Sequence, residues 1–312
     1  MSVNSVSLFG KSVRIRTRDC QVFDEPIRQF GDGKTVNIFI QLETGCNAKC
    51  QFCEYNKPSG KEFNFEKLSE SIDEIQRNAT VGKLNITGGE PTLNSENYLK
   101  LIELLRQNMS GFKFKPHITL NTNGYNLSLI EQSLDVVDDI GLSRHHYDDK
   151  LNQKVFCTDS IPDTRSIVKL LDKLPNSEKY RLNLRCNLIK GYIDTYDKMC
   201  EYLEWASSLG VVWIGFVTLM PLNKFCTDNV VLDNQLFYDK RFFLTEDWKR
   251  YEPNKNGIDE VVCRCNDHIY VTKTGRMVRF YNRIFNNCNL NDGQLVYDGQ
   301  NLRLGFSGEI IY

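Results

Sequence analysis

The sequence predicts an α/β fold: an incomplete parallel barrel of six strands, with an N-terminal extension and a C-terminal β-hairpin cap. Three observations predict it. Between residues 36 and 218 short apolar runs alternate strictly with helix-period segments, and strict alternation implies parallel strands joined by right-handed crossovers. The runs number six, too few to close an eight-stranded barrel. After residue 218 the alternation stops, and turns with hairpin patterns take over.

Residues 1–35 form the extension. Within it Lys11–Arg18 alternates Val13 and Ile15 with Arg14, Arg16 and Arg18, the period of a half-exposed strand with a solvated basic face. The six barrel strands are expected at Val36–Gln41, Leu84–Thr87, His117–Asn121, Asp139–Ser143, Arg181–Asn187 and Val211–Thr218. Between them the helical period marks Glu66–Gln76, Tyr98–Gln107, Leu127–Leu134, Thr164–Leu174 and Thr195–Leu209. In the second of these Leu101, Leu104 and Leu105 share one face, as a core-facing stripe requires. The barrel thus spans 36–218 and the capping segment 219–312, where Tyr270–Val278 reads as a β-hairpin turning at Gly275.

Composition narrows the function classes. With 39 basic and 40 acidic side chains in 312 residues there is no basic field to attract nucleic acid. Met1–Phe9 lacks the basic start and apolar core of a signal peptide, and no apolar run reaches the length of a membrane span. A cytoplasmic protein with no membrane partner is the expectation. In a reducing compartment, eleven cysteines point to metal or catalysis rather than disulfides.

Cys46-Asn-Ala-Lys-Cys50-Gln-Phe-Cys53 follows the first barrel strand directly. Thiolates on one short loop suit an Fe–S cluster, because the loop must wrap a compact inorganic core. Three close ligands leave a fourth iron without a local protein ligand, and an open position on a metal is where a substrate can coordinate. A structural zinc site would need a fourth ligand nearby, and a ferredoxin run would carry two-residue gaps and a cysteine followed by proline; neither pattern is present.

This spacing after the first strand of a partial (β/α)6 TIM-like barrel resembles the radical S-adenosylmethionine (SAM) superfamily. The resemblance covers residues 36–218. It implies that Cys46, Cys50 and Cys53 bind three irons of a [4Fe–4S] cluster while SAM chelates the fourth. It puts Phe52 at the aromatic position that holds adenine, and makes Gly88-Gly89-Glu90-Pro91 similar to the motif that meets the methionine amino group. Glycines suit a close backbone approach. The turn Asn121-Thr122-Asn123-Gly124 is similar to the polar turn beneath the SAM ribose, and Ser143, Arg185 and Asn187 fall where relatives contact SAM ribose or carboxylate. An arginine fork suits a carboxylate, though a structural ion pair would use Arg185 equally well. The implied chemistry is reductive SAM cleavage to a 5′-deoxyadenosyl radical that takes hydrogen from a substrate, with a flavodoxin or ferredoxin as reductant. A non-catalytic Fe–S electron carrier or redox sensor is the alternative, and it has no need of a SAM cradle.

The strand ending at Ser143 runs into Arg144-His145-His146-Tyr147-Asp148-Asp149, the densest ionisable cluster in the chain. Its place at the carboxyl end of a barrel strand makes His145, His146 and Tyr147 candidates for substrate contact, against a plain solvated loop. Cys226 and Cys157 are candidates to return a hydrogen atom to a product radical, against buried inert cysteine. Farther on, Cys265, nine residues, Gly275 and four more resemble the start of a Twitch or SPASM auxiliary-cluster segment up to the last position, where Phe280 replaces cysteine. Cys263, Cys265 and Cys288 then offer a rearranged second cluster, or with His268 a zinc site; without metal the hairpin caps the open barrel. Arg276, Arg279, Tyr281 and Arg283 read first as a solvent-facing basic strand, and alternatively suit an anionic group. A small anionic metabolite such as a nucleotide or sugar phosphate is the first substrate expectation. A ribosomally made peptide comes second, because 35 residues ahead of the barrel are few for a leader-recognition module.

Overall fold

The six expected barrel strands are all present in a computed structural model, which describes residues 5–14, 35–54, 62–231, 248–250, 268–272, 276–281, 294–306 and 308–312. They are β3 (Thr35–Glu43), β4 (Thr80–Gly88), β5 (His117–Thr122), β6 (Asp139–Ser143), β7 (Leu182–Leu188) and β8 (Trp213–Thr218), each parallel to the next. The crossovers carry α1 (Phe65–Asn78), α2 (Ser95–Asn108), α3 (Leu127–Glu131), α4 (Asp149–Phe156), α5 (Thr164–Leu171) and α6 (Tyr196–Ser208), and α7 (Lys224–Asn229) follows β8. Capping sets where these helices begin. Asn64, Asn94, Asn126, Asp148, Asp163, Thr195 and Asn223 each accept the backbone N–H three residues on, satisfying a donor that has no partner inside the helix.

The parallel sheet does not stop at six strands. Its order is β13-β12-β3-β4-β5-β6-β7-β8-β11-β10-β9, eleven strands in all. The additions are β9 (Trp248–Arg250), β10 (His268–Thr272), β11 (Met277–Tyr281), β12 (Gln294–Tyr297) and β13 (Leu302–Leu304). β11 runs parallel to β8 and β12 parallel to β3, so late segments of the chain cover both edges of the barrel sheet. The expected hairpin exists as antiparallel β10 and β11, with its turn residue Gly275 outside the described residues. It joins the open edge of the six-stranded unit at β8, edge to edge. An open edge of unpaired N–H and C=O groups invites that pairing.

Register sorts the side chains into two opposite surfaces. Ile40, Ile86, Leu120, Ile140 and Leu182 stand level on successive strands and are buried in one apolar core with Ile72 of α1 and Leu101 of α2. One residue along, the row reads Phe39, Asn85, Thr119 and Asp139, and farther round Arg185, Gly215 and Arg279 stand level. Asn37 Oδ1, Thr119 Oγ1 and Asn183 Oδ1 on this inner side are buried and find no hydrogen-bond partner among the described residues. Orphaned polar atoms of that kind call for water or a polar ligand.

At the N-terminus β1 (Ser5–Leu8) and β2 (Lys11–Arg14) form an antiparallel hairpin. Val13 is buried while its neighbour Ser12 is exposed, as the alternation requires; Arg16 and Arg18 lie outside the described residues. Phe9 in its turn stacks on Tyr312 at 4.0 Å, and its N–H donates to Glu74 of α1. No helix among the described residues is long and apolar enough to cross a membrane.

Candidate functional site

The cysteine loop leaves the carboxyl end of β3 and is fastened on three sides. On the first, β4 ends on Gly88 and Gly89, whose neighbours are backbone atoms of residues 43–45. A Cβ on Gly88 would lie 2.3 Å from Glu43 O, and one on Gly89 2.0 Å from Gly45 O; Gly88 also has φ +129°. Only glycine fits both demands. Gly89 N–H donates to Glu43 O at 2.7 Å and Glu90 N–H to Gly45 O at 2.9 Å. The glycines therefore admit the cysteine loop itself, where the sequence suggested room for a ligand.

Glu90 is the hub of the second fastening. It is fully buried, and its Oε1 accepts Thr92 N–H at 3.0 Å and the hydroxyls of Thr92 and Thr122, both at 2.6 Å. Oε2 accepts Asn123 N–H at 2.7 Å. Burial pushes its pKa up while these donors pull it down, burial prevailing. Pro91 is buried beside it. Asn123, held in this way, donates from Nδ2 to Asn47 Oδ1 at 2.8 Å and to Cys46 Sγ at 3.5 Å. Cys46 Sγ also accepts Ala48 N–H at 3.4 Å. Thr122 Oγ1 further accepts Gly124 N–H, so Thr122 and Asn123 tie the ends of two strands to the cysteine loop.

The third fastening comes from α4 and α7. Lys49 N–H donates to Phe156 O at 2.9 Å, and Asn223, the cap of α7, donates to Gln51 O at 3.0 Å. Cys226 is buried with its Sγ 3.5 Å from Phe52 O, in an apolar cluster with Val155, Ile189 and Leu219. It packs directly beside the cysteine loop. Cys157 ends α4 with φ 54°, exposed, its Sγ directed at Lys154 O. Burial raises the Cys50 pKa, and the thiols of Cys53, Cys46 and Cys157 add to it.

In the ionisable run after β6, Arg144, His145 and His146 are buried while Asp148 is exposed. Arg144, 1% exposed, donates to the carbonyls of His146, Pro162 and Tyr147 and to the Asp149 carboxylate, pinning the turn from within. His145 faces the cysteine loop: its ring stacks on Phe156 at 4.7 Å and meets Phe52 edge-on at 5.2 Å. Its Nδ1 accepts Asn187 N–H at 3.1 Å, and burial drives its pKa down to about 3, so the ring is neutral with its proton on Nε2. His146 instead accepts Asp148 N–H on Nδ1 and packs on Tyr147. Tyr147 points away to Glu201 on α6. Of these three candidates only His145 joins the cysteine loop.

On the inner side, Asn121, Ser143 and Arg185 stand half-buried near the carboxyl ends of β5, β6 and β7. Arg185 donates to the Tyr281 hydroxyl, and its guanidinium lies 4.9 Å from the Tyr281 ring and 5.9 Å from Trp213. It crosses above Gly215, where a Cβ would sit 2.7 Å from Nη1. Arg279 stacks on the same Tyr281 ring at 4.0 Å. Phe280, at the position where an auxiliary-cluster cysteine was sought, is buried in the core against Phe216. Cys263, Cys265, Cys288, Gly275 and Arg283 lie outside the described residues.

Phe156, Asn223 and Thr92 belong to the site and were not singled out in the sequence. Asn223 carried a signal, an Asn three residues ahead of Cys226 in helix-capping register. Phe156 carried none until Asp148 is recognised as the cap of α4.

Cys46, Cys50 and Cys53 lie on one loop, and burial, with the neighbouring thiols adding to it, raises the pKa of Cys46 and Cys50. Cluster thiolates take separate irons of a compact core, and three close thiols on one loop fit that demand.

Comparison with known proteins agrees. The radical SAM superfamily profile matches residues 40–223. A Methanocaldococcus jannaschii protein named as a glycyl-radical enzyme activating enzyme is 33% identical over 140 residues, 45% of this chain and 49% of its own. The GTP 3′,8-cyclase of Aliarcobacter butzleri is 27% identical over 201 residues, 61% of this chain and 57% of its own. The chain thus spans less than two thirds of the length of these relatives. In shape it is similar to Streptococcus suis SuiB crystallised with S-adenosylmethionine, with a TM-score of 0.57 over 89% of this chain and 63% of that one, at 13% identity.

Proposed function

The chain belongs to the radical SAM superfamily, and from that premise we propose that Cys46, Cys50 and Cys53 hold its [4Fe–4S] cluster and that the polar inner side of the barrel binds a small anionic metabolite. When bound, the cluster and SAM supply a 5′-deoxyadenosyl radical able to take hydrogen from an unactivated C–H bond. The chain supplies the rest: it binds, orients and shields.

The observation that carries this reading is the convergence on one loop of Gly88–Pro91, Thr122–Asn123 and His145, at the carboxyl ends of β4, β5 and β6. An electron carrier has no use for three strand ends gathered around its cysteines. Phe52 and neutral His145 form an aromatic wall suited to adenine. Asn121, Ser143 and Asn187 lie at strand ends suited to SAM hydroxyls and carboxylate. For the substrate, Arg185 is the strongest argument. Its charge is met by Tyr281 and Trp213 and by no carboxylate among the described residues, so it is ready for an anion. The name of the cyclase relatives contains a nucleoside triphosphate, which agrees with that substrate class.

Anaerobic reconstitution, dithionite and SAM, followed by chromatography for 5′-deoxyadenosine, tests the chemistry. The wild type is expected to form it and the Cys46/Cys50/Cys53 triple alanine variant to form none. A wild type that holds iron and sulfide but gives none would leave an electron-transfer module. For the substrate, nucleoside triphosphates, sugar phosphates and short peptides are compared for acceleration of that product. Acceleration by peptides alone would replace the anionic metabolite with a peptide.

A further inference from the structure

Cys46 differs from an ordinary loop thiol in what stands behind it. Asn123 Nδ2 is 3.5 Å from its Sγ, a distance suited to an N–H···S hydrogen bond, and Ala48 N–H adds a second at 3.4 Å. Asn123 is 6% exposed and has no freedom to turn elsewhere. Its backbone N–H is held by Glu90 Oε2 at 2.7 Å, its Oδ1 accepts Tyr125 N–H at 2.9 Å, and its amide is steadied by Asn47 Oδ1 at 2.8 Å. Glu90 is held in turn by Thr92 and Thr122. The buried carboxylate at the end of β4 is thus linked, through one amide at the end of β5, to one sulfur on the loop after β3.

We propose that Asn123 is a positioning residue that tunes the cluster: its Nδ2–H, aimed by Glu90, donates to the Cys46 thiolate and raises the cluster's reduction potential. The physics is direct. A donor beside a ligand sulfur withdraws charge from it, and the reduced cluster, being the more negative state, gains more from this than the oxidised one. The amide thereby makes the cluster easier to reduce. The inference rests on the assignment of Cys46 as a cluster ligand made above.

Two variants separate tuning from construction. Asn123→Ala removes the donor. Asn123→Asp keeps the shape and the acceptor for Tyr125 N–H while replacing the donor with a negative charge. Reconstituted holoproteins are titrated anaerobically with mediators, and the reduced cluster is followed by electron paramagnetic resonance beside iron and sulfide content. The reduction equilibrium constant is expected to fall about tenfold in Asn123→Ala, which for a one-electron couple is about 59 mV, and further in Asn123→Asp, at wild-type iron content. Indistinguishable potentials in the three proteins overturn the proposal. So does loss of iron from both variants with the far-ultraviolet circular dichroism unchanged, because Asn123 would then build the loop without tuning the cluster. A wild type that takes up no cluster would instead overturn the assignment of Cys46 beneath it.

Discussion

The two sides of the barrel sheet are built from the same strands and obey opposite rules. On the helix-covered side, five consecutive strands present Ile40, Ile86, Leu120, Ile140 and Leu182 level with one another, and these residues have essentially no exposure. On the inner side, residues one step along are, apart from Phe39, Asn, Thr, Asp, Arg and Gly, several with polar atoms that find no partner among the described residues. Parallel sheets covered on both faces read as unbroken apolar runs. These strands alternate because only one face is covered by helices. Stability is concentrated on one side and chemistry on the other, so the cost of substitution should split the same way.

The largest effect on stability should come from the covered side. Phe216 is fully buried between Tyr202 of α6 and Phe280 of β11, and Phe216→Ala should cost about 3–5 kcal/mol in urea unfolding. His145 sharpens the comparison, since it stands where the two sides meet. Its native pKa of about 3 lies below the ~6.5 of an unfolded chain. As pH falls through that window the unfolded chain takes up a proton that the native ring refuses. Stability is therefore complete above the window and drops by about 1.4 kcal/mol per pH unit within it. His145→Phe should flatten that slope, measured as urea midpoints between neutral and acid pH. The comparison is most exposed at Arg185. Arg185→Ala should lower substrate-dependent kcat/KM at least tenfold, about 1.4 kcal/mol, while shifting stability by under ~1 kcal/mol. Destabilisation as great as that of Phe216→Ala would end the division of labour. Asn94, on neither side, calibrates the scale: loss of its cap on α2 should cost about 1 kcal/mol, read as a small shift in midpoint with unchanged activity.

Much of this was legible because alternation, capping residues and cysteine spacing are local. The six strands fall within a few residues of their expected places, and the parallel order follows from the crossovers. Cys46, Cys50 and Cys53 share the loop after β3 as their spacing implies. What escaped the sequence was decided by distant partners. Gly88 and Gly89 looked like space for a ligand, yet the atoms that require glycine belong to residues 43–45. Glu90 looked like a motif letter and is a buried brace for β5. Helix α4 is short and polar, so only Asp148 announced it. No periodicity distinguishes His145 from His146; packing against Phe52 and Phe156 does. The strands β11 and β12 were too short to be assigned to the barrel, because their partners lie far back in the sequence.

That last feature bears on how the chain acquires its shape. β12 pairs with β3 across more than 250 intervening positions, Gln294 meeting Asn37, and joining such distant segments slows folding because the loop must close before any contact rewards it. During synthesis the first barrel strand emerges and waits for its outer neighbour while more than 250 further residues are made. Its bare edge is open to wrong pairings throughout that interval. Arrested nascent chains ending before Gln294 should accordingly bind chaperones or aggregate, and release past Tyr297 should relieve both.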